Sequence, residues 1–155
     1  MRKRIVLFVA TSVVVSGLAL WATMGSASAI KAPQTFTVIE KDNQFHLVDN
    51  DPPKSSIGDF FALSGPLLRG GTNVGVADVL CTQTHENHFR FLCSATWTFK
   101  NKGQITGQTS LHSRSNVRFV AAVTGGTGIY QNVRGWVEVD QPRPSVTRDT
   151  FHLLT

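Results

Sequence analysis

One stretch of the chain alternates apolar and polar residues so regularly that it constrains the fold more than any other feature. Between residues 89 and 99 every second side chain is apolar, and most of the residues between them are polar. Side chains that repeat every two residues lie on one face of a β-strand. The sequence therefore predicts a strand whose buried face consists of Phe89, Phe91, Cys93, Ala95, Trp97 and Phe99.

The rest of the chain also has the composition of strands. After residue 29, Val, Ile and Thr make up about a quarter of the residues, which is typical of sheets. Frequent Gly and Pro residues leave no long, uninterrupted helical face. About eight strand signals with short connections indicate an all-β sandwich or barrel. We expect an eight-stranded antiparallel β-barrel, because an open sheet would expose two aggregation-prone edges.

The first two strand signals are separated by a short polar segment. Residues 36–40 and 45–49 have strand patterns, and the sequence Lys-Asp-Asn at 41–43 lies between them. Asp and Asn are common in turns because their side chains bond to the nearby backbone. We therefore interpret residues 41–43 as a turn that connects two strands.

The first 29 residues have the features of a secretory signal peptide. Arg2, Lys3 and Arg4 precede an apolar stretch, and Ala27-Ser28-Ala29 fits an A-x-A cleavage site. The alternative is an uncleaved membrane anchor, since residues 5–24 could span a bilayer. We expect cleavage after Ala29, a single β-barrel domain over residues 30–155, extracellular secretion and no membrane association of the mature protein. That domain is close to neutral, which argues against a nucleic-acid partner.

Cys81 and Cys93 are the only cysteines in the chain. If the hairpin turn between their strands is centred on Asn87, the two residues lie directly opposite each other, within reach of a disulfide. An oxidising extracellular compartment would favour that bond. The alternative is a pair of buried free thiols. We predict a Cys81–Cys93 disulfide.

No strong catalytic motif is present. The two histidines of His85-Glu86-Asn87-His88 are three residues apart in a predicted turn, so this segment is interpreted as solvated and no metal site is expected. Asp59, Asp78 and Glu138 each lie in a strand pattern and are weak candidates for catalysis. A carboxyl group that points into a barrel could act as an acid or a base, whereas one on the outer face would be solvated.

A glycine-rich segment carries a resemblance to a known family. Residues 123–130, Val-Thr-Gly-Gly-Thr-Gly-Ile-Tyr, with Val133-Arg134-Gly135 behind them, resemble the signature turn of dirigent proteins and allene oxide cyclases. Segments 57–59, 75–81 and 103–108 fit the same family in the same order. The resemblance implies an eight-stranded, calycin-like barrel that is often oligomeric and encloses an apolar cavity, with no redox cofactor. The plant cyclase has a Glu-x-Asn pair where this chain has Thr37-Val38-Ile39, so allene oxide cyclization itself is not expected.

Two hypotheses for function follow. The first is a secreted barrel that binds a small, largely apolar molecule, either as a cofactor-free isomerase or cyclase or as a dirigent-like steering protein. The second is a non-catalytic structural or protein-interaction barrel. The candidates for the lining of a ligand pocket are apolar residues of two strands, and each could instead fill the core: Phe91, Trp97, Phe99 and Phe119.

Overall fold

The structure is a computed structural model that describes residues 33–41, 43–50, 56–86, 88–112 and 118–154. The predicted signal peptide, residues 1–29, lies outside the described residues. The described chain is almost entirely β-strand. Its nine strands are β1 (Gln34–Lys41), β2 (Gln44–Val48), β3 (Phe60–Arg69), β4 (Thr72–Gln83), β5 (Phe91–Phe99), β6 (Gly103–Leu111), β7 (Arg118–Gly126), β8 (Arg134–Arg143) and β9 (Val146–Leu154).

All of the strand pairings are antiparallel, and the sheet closes on itself. Strands β3 to β9 pair in chain order, and β1 pairs with β9 on one side and with β3 on the other. Ile39 lies opposite Leu68 and Glu40 opposite Leu67 in the pairing that closes the ring. The result is the predicted eight-stranded antiparallel barrel, in which β1 and β2 together make one of the eight positions.

The interpretation of residues 41–43 as a turn was wrong for Lys41 and Asn43, and Asp42 lies outside the described residues. Strands β1 and β2 both run antiparallel to β3, with Glu40 opposite Leu67 and Gln44 opposite Ser64. They therefore follow each other along β3 as one interrupted strand. The polar segment ends the pairing with β9 at Lys41, and the chain continues in nearly the same direction, because β3 is long enough to pair with both parts.

One half of the barrel interior is filled by aromatic side chains, and we call it the packed half. The Phe151 ring is fully buried at its centre. This ring stacks on Phe36 at a centroid distance of 4.8 Å and meets Trp97 edge-on at 5.1 Å and Phe99 at 5.8 Å. Aromatic pairs of this geometry stabilise a core beyond the area that they bury. Tyr130 adds a further ring against Phe99, at 5.4 Å.

The glycine-rich segment closes the packed half. After β7 the chain makes a single 3₁₀ turn, Gly128–Tyr130, which directs Tyr130 into the core. A Cβ atom on Gly126 would lie 2.6 Å from the Tyr130 carbonyl oxygen, and one on Gly128 would lie 2.3 Å from that of Lys102. Two backbone segments thus approach too closely for any side chain. The signature turn of this sequence is a structural seal at this end of the barrel.

The predicted disulfide is present. Cys81 of β4 lies opposite Cys93 of β5, and the two sulfur atoms are 1.99 Å apart. Both residues are buried on the inner face, where Phe91 packs beside them. The bond therefore fixes the register of the β4–β5 hairpin from inside the barrel. In the described residues, the structure also has no helix that is long and apolar enough to cross a membrane.

Candidate functional site

The other half of the barrel is hollow. It contains a cavity of about 260 Å³, which lies on the inner faces of the strands, at the end opposite the packed half. Most of its wall is apolar, with four aromatic rings and the disulfide. The wall and rim are formed by Phe61, Leu63, Val79, Cys81, Phe89, Cys93, Ala95, Trp97, Gly107, Leu111, Phe119, Ala121 and Val139, together with the polar residues Glu40, Gln108, Thr109, Gln141, Thr147 and Asp149.

Trp97 forms the floor of the cavity. Its ring contacts Phe151 of the packed half and lines the cavity as well. Its indole Nε1–H donates to Asp149 Oδ2 at 2.8 Å, a hydrogen bond that crosses the barrel from β5 to β9. A Cβ atom on Gly107 would lie 2.9 Å from the Trp97 ring. The bare backbone of β6 at Gly107 therefore makes room for the ring that separates the two halves.

Two acidic residues lie beside this floor. Glu40 is 3% exposed and Asp149 is 1% exposed, and both line the cavity. Glu40 lies opposite Thr147 in the β1–β9 pairing, so Asp149, two residues further along, is its diagonal neighbour on the inner face. Diagonal neighbours have Cα atoms roughly 7–8 Å apart, which is within reach of long side chains. The cavity thus combines apolar walls with a pair of buried carboxyl groups.

Sequence reasoning missed this acidic pair, although a signal for it exists. Glu40 continues the inward alternation of Phe36 and Val38, and Asp149 precedes Phe151 and Leu153 in the same phase. An acid on the apolar phase of a strand points into the barrel. The phase of the alternation could therefore have identified both residues before the structure was known.

The four predicted pocket residues divide between the two halves of the barrel. Trp97 and Phe119 line the cavity. Phe99 lies in the packed half, against Phe36 and Phe151. Phe91 is buried beside Cys81 and Cys93, with its ring 5.3 Å from that of Phe61, and is not among the described residues that line the cavity. Alternation placed all four correctly on inner faces, but it carries no information about which half of a barrel is filled.

The three candidate catalytic acids lie away from the cavity. Asp78 is on the outer face, where its Oδ1 accepts a hydrogen bond from Ser64 Oγ at 2.8 Å. Glu138 is also on the outer face, 3.4 Å from Nε2 of His152, whose ring stacks on Trp136 at 4.8 Å. Neither side chain is among those that line the cavity.

Asp59 is buried, but it organises a loop. Its carboxylate accepts hydrogen bonds from the backbone amide of Ser56 at 2.7 Å, from that of Asn50 at 2.9 Å and from Ser56 Oγ at 2.8 Å. Chiefly the Ser56 amide, and then the Asn50 amide, hold the pKa of Asp59 below its ordinary value. The group is therefore an ionised anchor for the segment that precedes β3.

The mouth of the cavity lies where the barrel wall is incomplete. Strand β2 pairs with β3 alone among the described strands, and its Phe45 and Leu47 side chains are largely exposed. An open groove runs between β2 and the β8–β9 hairpin, and it shares Leu63 and Gln141 with the cavity. Phe89, at the end of the β4–β5 connection, borders the cavity and packs on Phe91 at 4.9 Å. Among the described residues, the cavity and the groove therefore adjoin at Leu63 and Gln141.

Comparison with known proteins gives the same fold. No protein-family model and no curated protein sequence matches the chain. Among solved structures, a pyocyanin demethylase is 26% identical, covers 77% of this chain and 99% of its own, and has a TM-score of 0.67. A pterocarpan synthase dirigent protein is 15% identical, covers 81% of this chain and 96% of its own, and has a TM-score of 0.63.

A Diels–Alderase from Streptomyces koyangensis, AbmU, has a TM-score of 0.62 at 16% identity, over 77% of this chain and 63% of its own. At identities as low as those of the dirigent protein and the Diels–Alderase, the likeness concerns the fold alone. It agrees with the closed ring of antiparallel strands. The chain therefore has the eight-stranded barrel fold of the allene oxide cyclase and dirigent-like family.

Proposed function

We propose that the protein is a secreted barrel that binds a small, largely apolar molecule in the cavity above Trp97. There it acts as a cofactor-free isomerase or cyclase, or as a dirigent-like protein that steers a reactive molecule. The observation that carries this proposal is the hollow half itself, with its acidic pair. A barrel of eight strands can fill its interior with side chains, whereas this one leaves a cavity of about 260 Å³ above Trp97.

The walls suit an apolar, aromatic guest. Four rings face the cavity, from Phe61, Phe89, Trp97 and Phe119. Its volume of about 260 Å³ is slightly below the range of about 300–1,000 Å³ that is common for ligand pockets. The guest is therefore a compact molecule of a few rings. Confinement in such a space favours one reactive conformer, which is the main requirement for a cyclization or a steered coupling.

The two carboxyl groups supply acid–base chemistry. Both are buried on the inner face as diagonal neighbours of the β1–β9 pairing, so an acid and a base can reach the same bound molecule. Asp149 accepts the indole hydrogen bond and is suited to be the ionised member. In an isomerisation, Asp149 removes a proton from the bound molecule and Glu40 returns one at another atom. The protein then holds as many protons as before.

Secretion is part of the proposal and is supported by two features. The first 29 residues have the order of a signal peptide, with basic, apolar and small residues in turn. The Cys81–Cys93 disulfide fits an oxidising compartment outside the cytoplasm. Expression of the full sequence would test this. We expect the protein in the medium to have the mass of residues 30–155 and to begin at Ile30.

A matched pair of variants on β7 tests the binding function. Ala121 lines the cavity, and Ala122 beside it faces solvent. Ala121→Leu fills part of the cavity, so we expect it to weaken the binding of the neutral fluorescent dye phenylnaphthylamine at least about tenfold, which corresponds to about 1.4 kcal/mol. Ala122→Leu should leave the dye affinity unchanged.

Dye binding that is equally strong in both variants would place the dye elsewhere and would refute a cavity-binding function. The structural or protein-interaction barrel would then be the better hypothesis. Exposed apolar side chains on the outer face, such as Val120, would be the place to look for its partner.

A further inference from the structure

The charged groups of the cavity have one sign. Of the described residues that line it, only Glu40 and Asp149 carry a charged group, and both are acids. No Lys, Arg or His is among the described residues that form its wall. The polar neighbours at the rim are the neutral side chains of Gln108, Thr109 and Gln141. Any charge that a ligand brings is therefore met by carboxyl groups.

Because the two acids are buried, their electrostatic effect on a charged ligand is strong. Glu40 and Asp149 are almost completely removed from solvent, and the surrounding wall is apolar. Electrostatic interactions in such surroundings are screened much less than in water. An anionic ligand would be repelled by an ionised carboxyl group, and the described residues of the wall offer it no countercharge. A cation or a strong hydrogen-bond donor would be attracted instead.

The aromatic rings act in the same direction. The indole of Trp97 lies beside Asp149, and Phe61 and Phe119 also face the cavity. The faces of aromatic rings attract cations, and the effect is largest for Trp and in desolvated sites. A flat, positively charged ring system would stack on these side chains while its charge approaches the carboxyl groups.

We propose that the ligand of this cavity is a small aromatic cation, such as a protonated aromatic amine or nitrogen heterocycle, whose charged end lies against Glu40 and Asp149. This inference rests on the proposed binding function and specifies its substrate class. The apolar part of the ligand occupies the space between the Phe61 and Phe119 walls, and the positive end points to the floor at Trp97.

The test compares three probes that share one ring system and differ in charge: naphthylmethylammonium, naphthylmethanol and naphthoate. Each competes for the cavity with phenylnaphthylamine at neutral pH. We expect the cation to bind at least about tenfold more tightly than the alcohol, since hydrogen bonds to charged groups are worth about 1.5–3 kcal/mol. Naphthoate should bind most weakly. The comparison uses the wild-type protein and does not depend on any variant.

Single substitutions then test whether Glu40 and Asp149 cause the preference for the cation. Glu40→Gln and Asp149→Asn should each reduce the preference for the cation over the alcohol, and Glu138→Gln on the outer face should leave it unchanged. Equal affinities for all three probes, or tightest binding of naphthoate, would overturn the charge preference and leave the binding function standing. If neither the dye nor any probe binds, the proposed function fails and the substrate class fails with it.

Discussion

The barrel has a packed half and a hollow half. We therefore expect the removal of a Phe ring to lower the free energy of unfolding much more in the packed half than in the hollow half. Phe151 is fully buried and packs against the rings of Phe36, Trp97 and Phe99 at 4.8, 5.1 and 5.8 Å. Phe→Ala in a core costs about 3–5 kcal/mol, partly for lost transfer energy and partly for the void that remains. Because Phe151 is fully buried and packs on three rings, we expect Phe151→Ala to lower the free energy of unfolding by about 4–5 kcal/mol.

The matched control is Phe119→Ala. Phe119 is only partly buried and lines a space that is already empty, so its removal enlarges the cavity without creating a new void. We expect a loss of about 1–2 kcal/mol, mainly from reduced apolar burial. Both losses are measured by urea unfolding at equilibrium. The slope of the free energy of unfolding against urea concentration should be the same in both variants and the wild type, which shows that unfolding exposes the same amount of surface.

Total stabilities of small domains are about 5–15 kcal/mol, so Phe151→Ala should remove between about a third and nearly all of the stability, while Phe119→Ala should keep most of it. Similar losses for both variants would contradict the division of the interior. A loss below about 2 kcal/mol for Phe151→Ala would refute the reasoning about the packed half itself.

Three further predictions concern the elements that hold the barrel. Replacement of both Cys81 and Cys93 by Ser should lower the free energy of unfolding by about 3 kcal/mol, the chain-entropy value for a short loop, as measured by urea unfolding; an unchanged midpoint would contradict it. Gly126→Ala brings a Cβ atom within 2.7 Å of two carbonyl oxygens and should lower the thermal midpoint, whereas Gly125→Ala, with its nearest neighbour at 3.7 Å, should be tolerated; equal effects would refute the seal. The stability that Asp59 contributes should be complete above about pH 4, the ordinary pKa of an unfolded Asp, and should be lost as the pH falls through its lowered pKa. Urea unfolding of Asp59→Asn at a series of pH values should therefore approach the wild type in acid, and a constant difference would disprove this role.

Much of the fold was predictable because the alternation of apolar and polar residues along a strand identifies its inner and outer faces. The alternation from Phe91 to Phe99 fixed which side chains point inward, and the symmetric spacing of Cys81 and Cys93 about the turn fixed the hairpin register. The interrupted strand at residues 41–43 was not predictable from local signals. A turn and a short break have the same polar residues, and only the length of β3 decides between them.

The site was less predictable because a cavity depends on how side chains from distant strands meet. Trp97 reaches Asp149 across the barrel, and their separation in sequence is 52 residues. Whether Trp97 and Phe119 enclose a space, or fill one, depends on the size of every inward residue at the same level, including the bare Gly107. The acids Glu40 and Asp149 were accessible to reasoning from strand phase, because both interrupt an apolar inward face.

The central claim is that the space above Trp97 receives a small molecule, and a crystal structure of the protein grown with phenylnaphthylamine tests it most directly. The claim predicts electron density for the fused rings between Trp97 and Phe119, with the amine directed toward Asp149. Dye bound only on the outer face, or side chains that fill the cavity and leave no room for it, would contradict the claim.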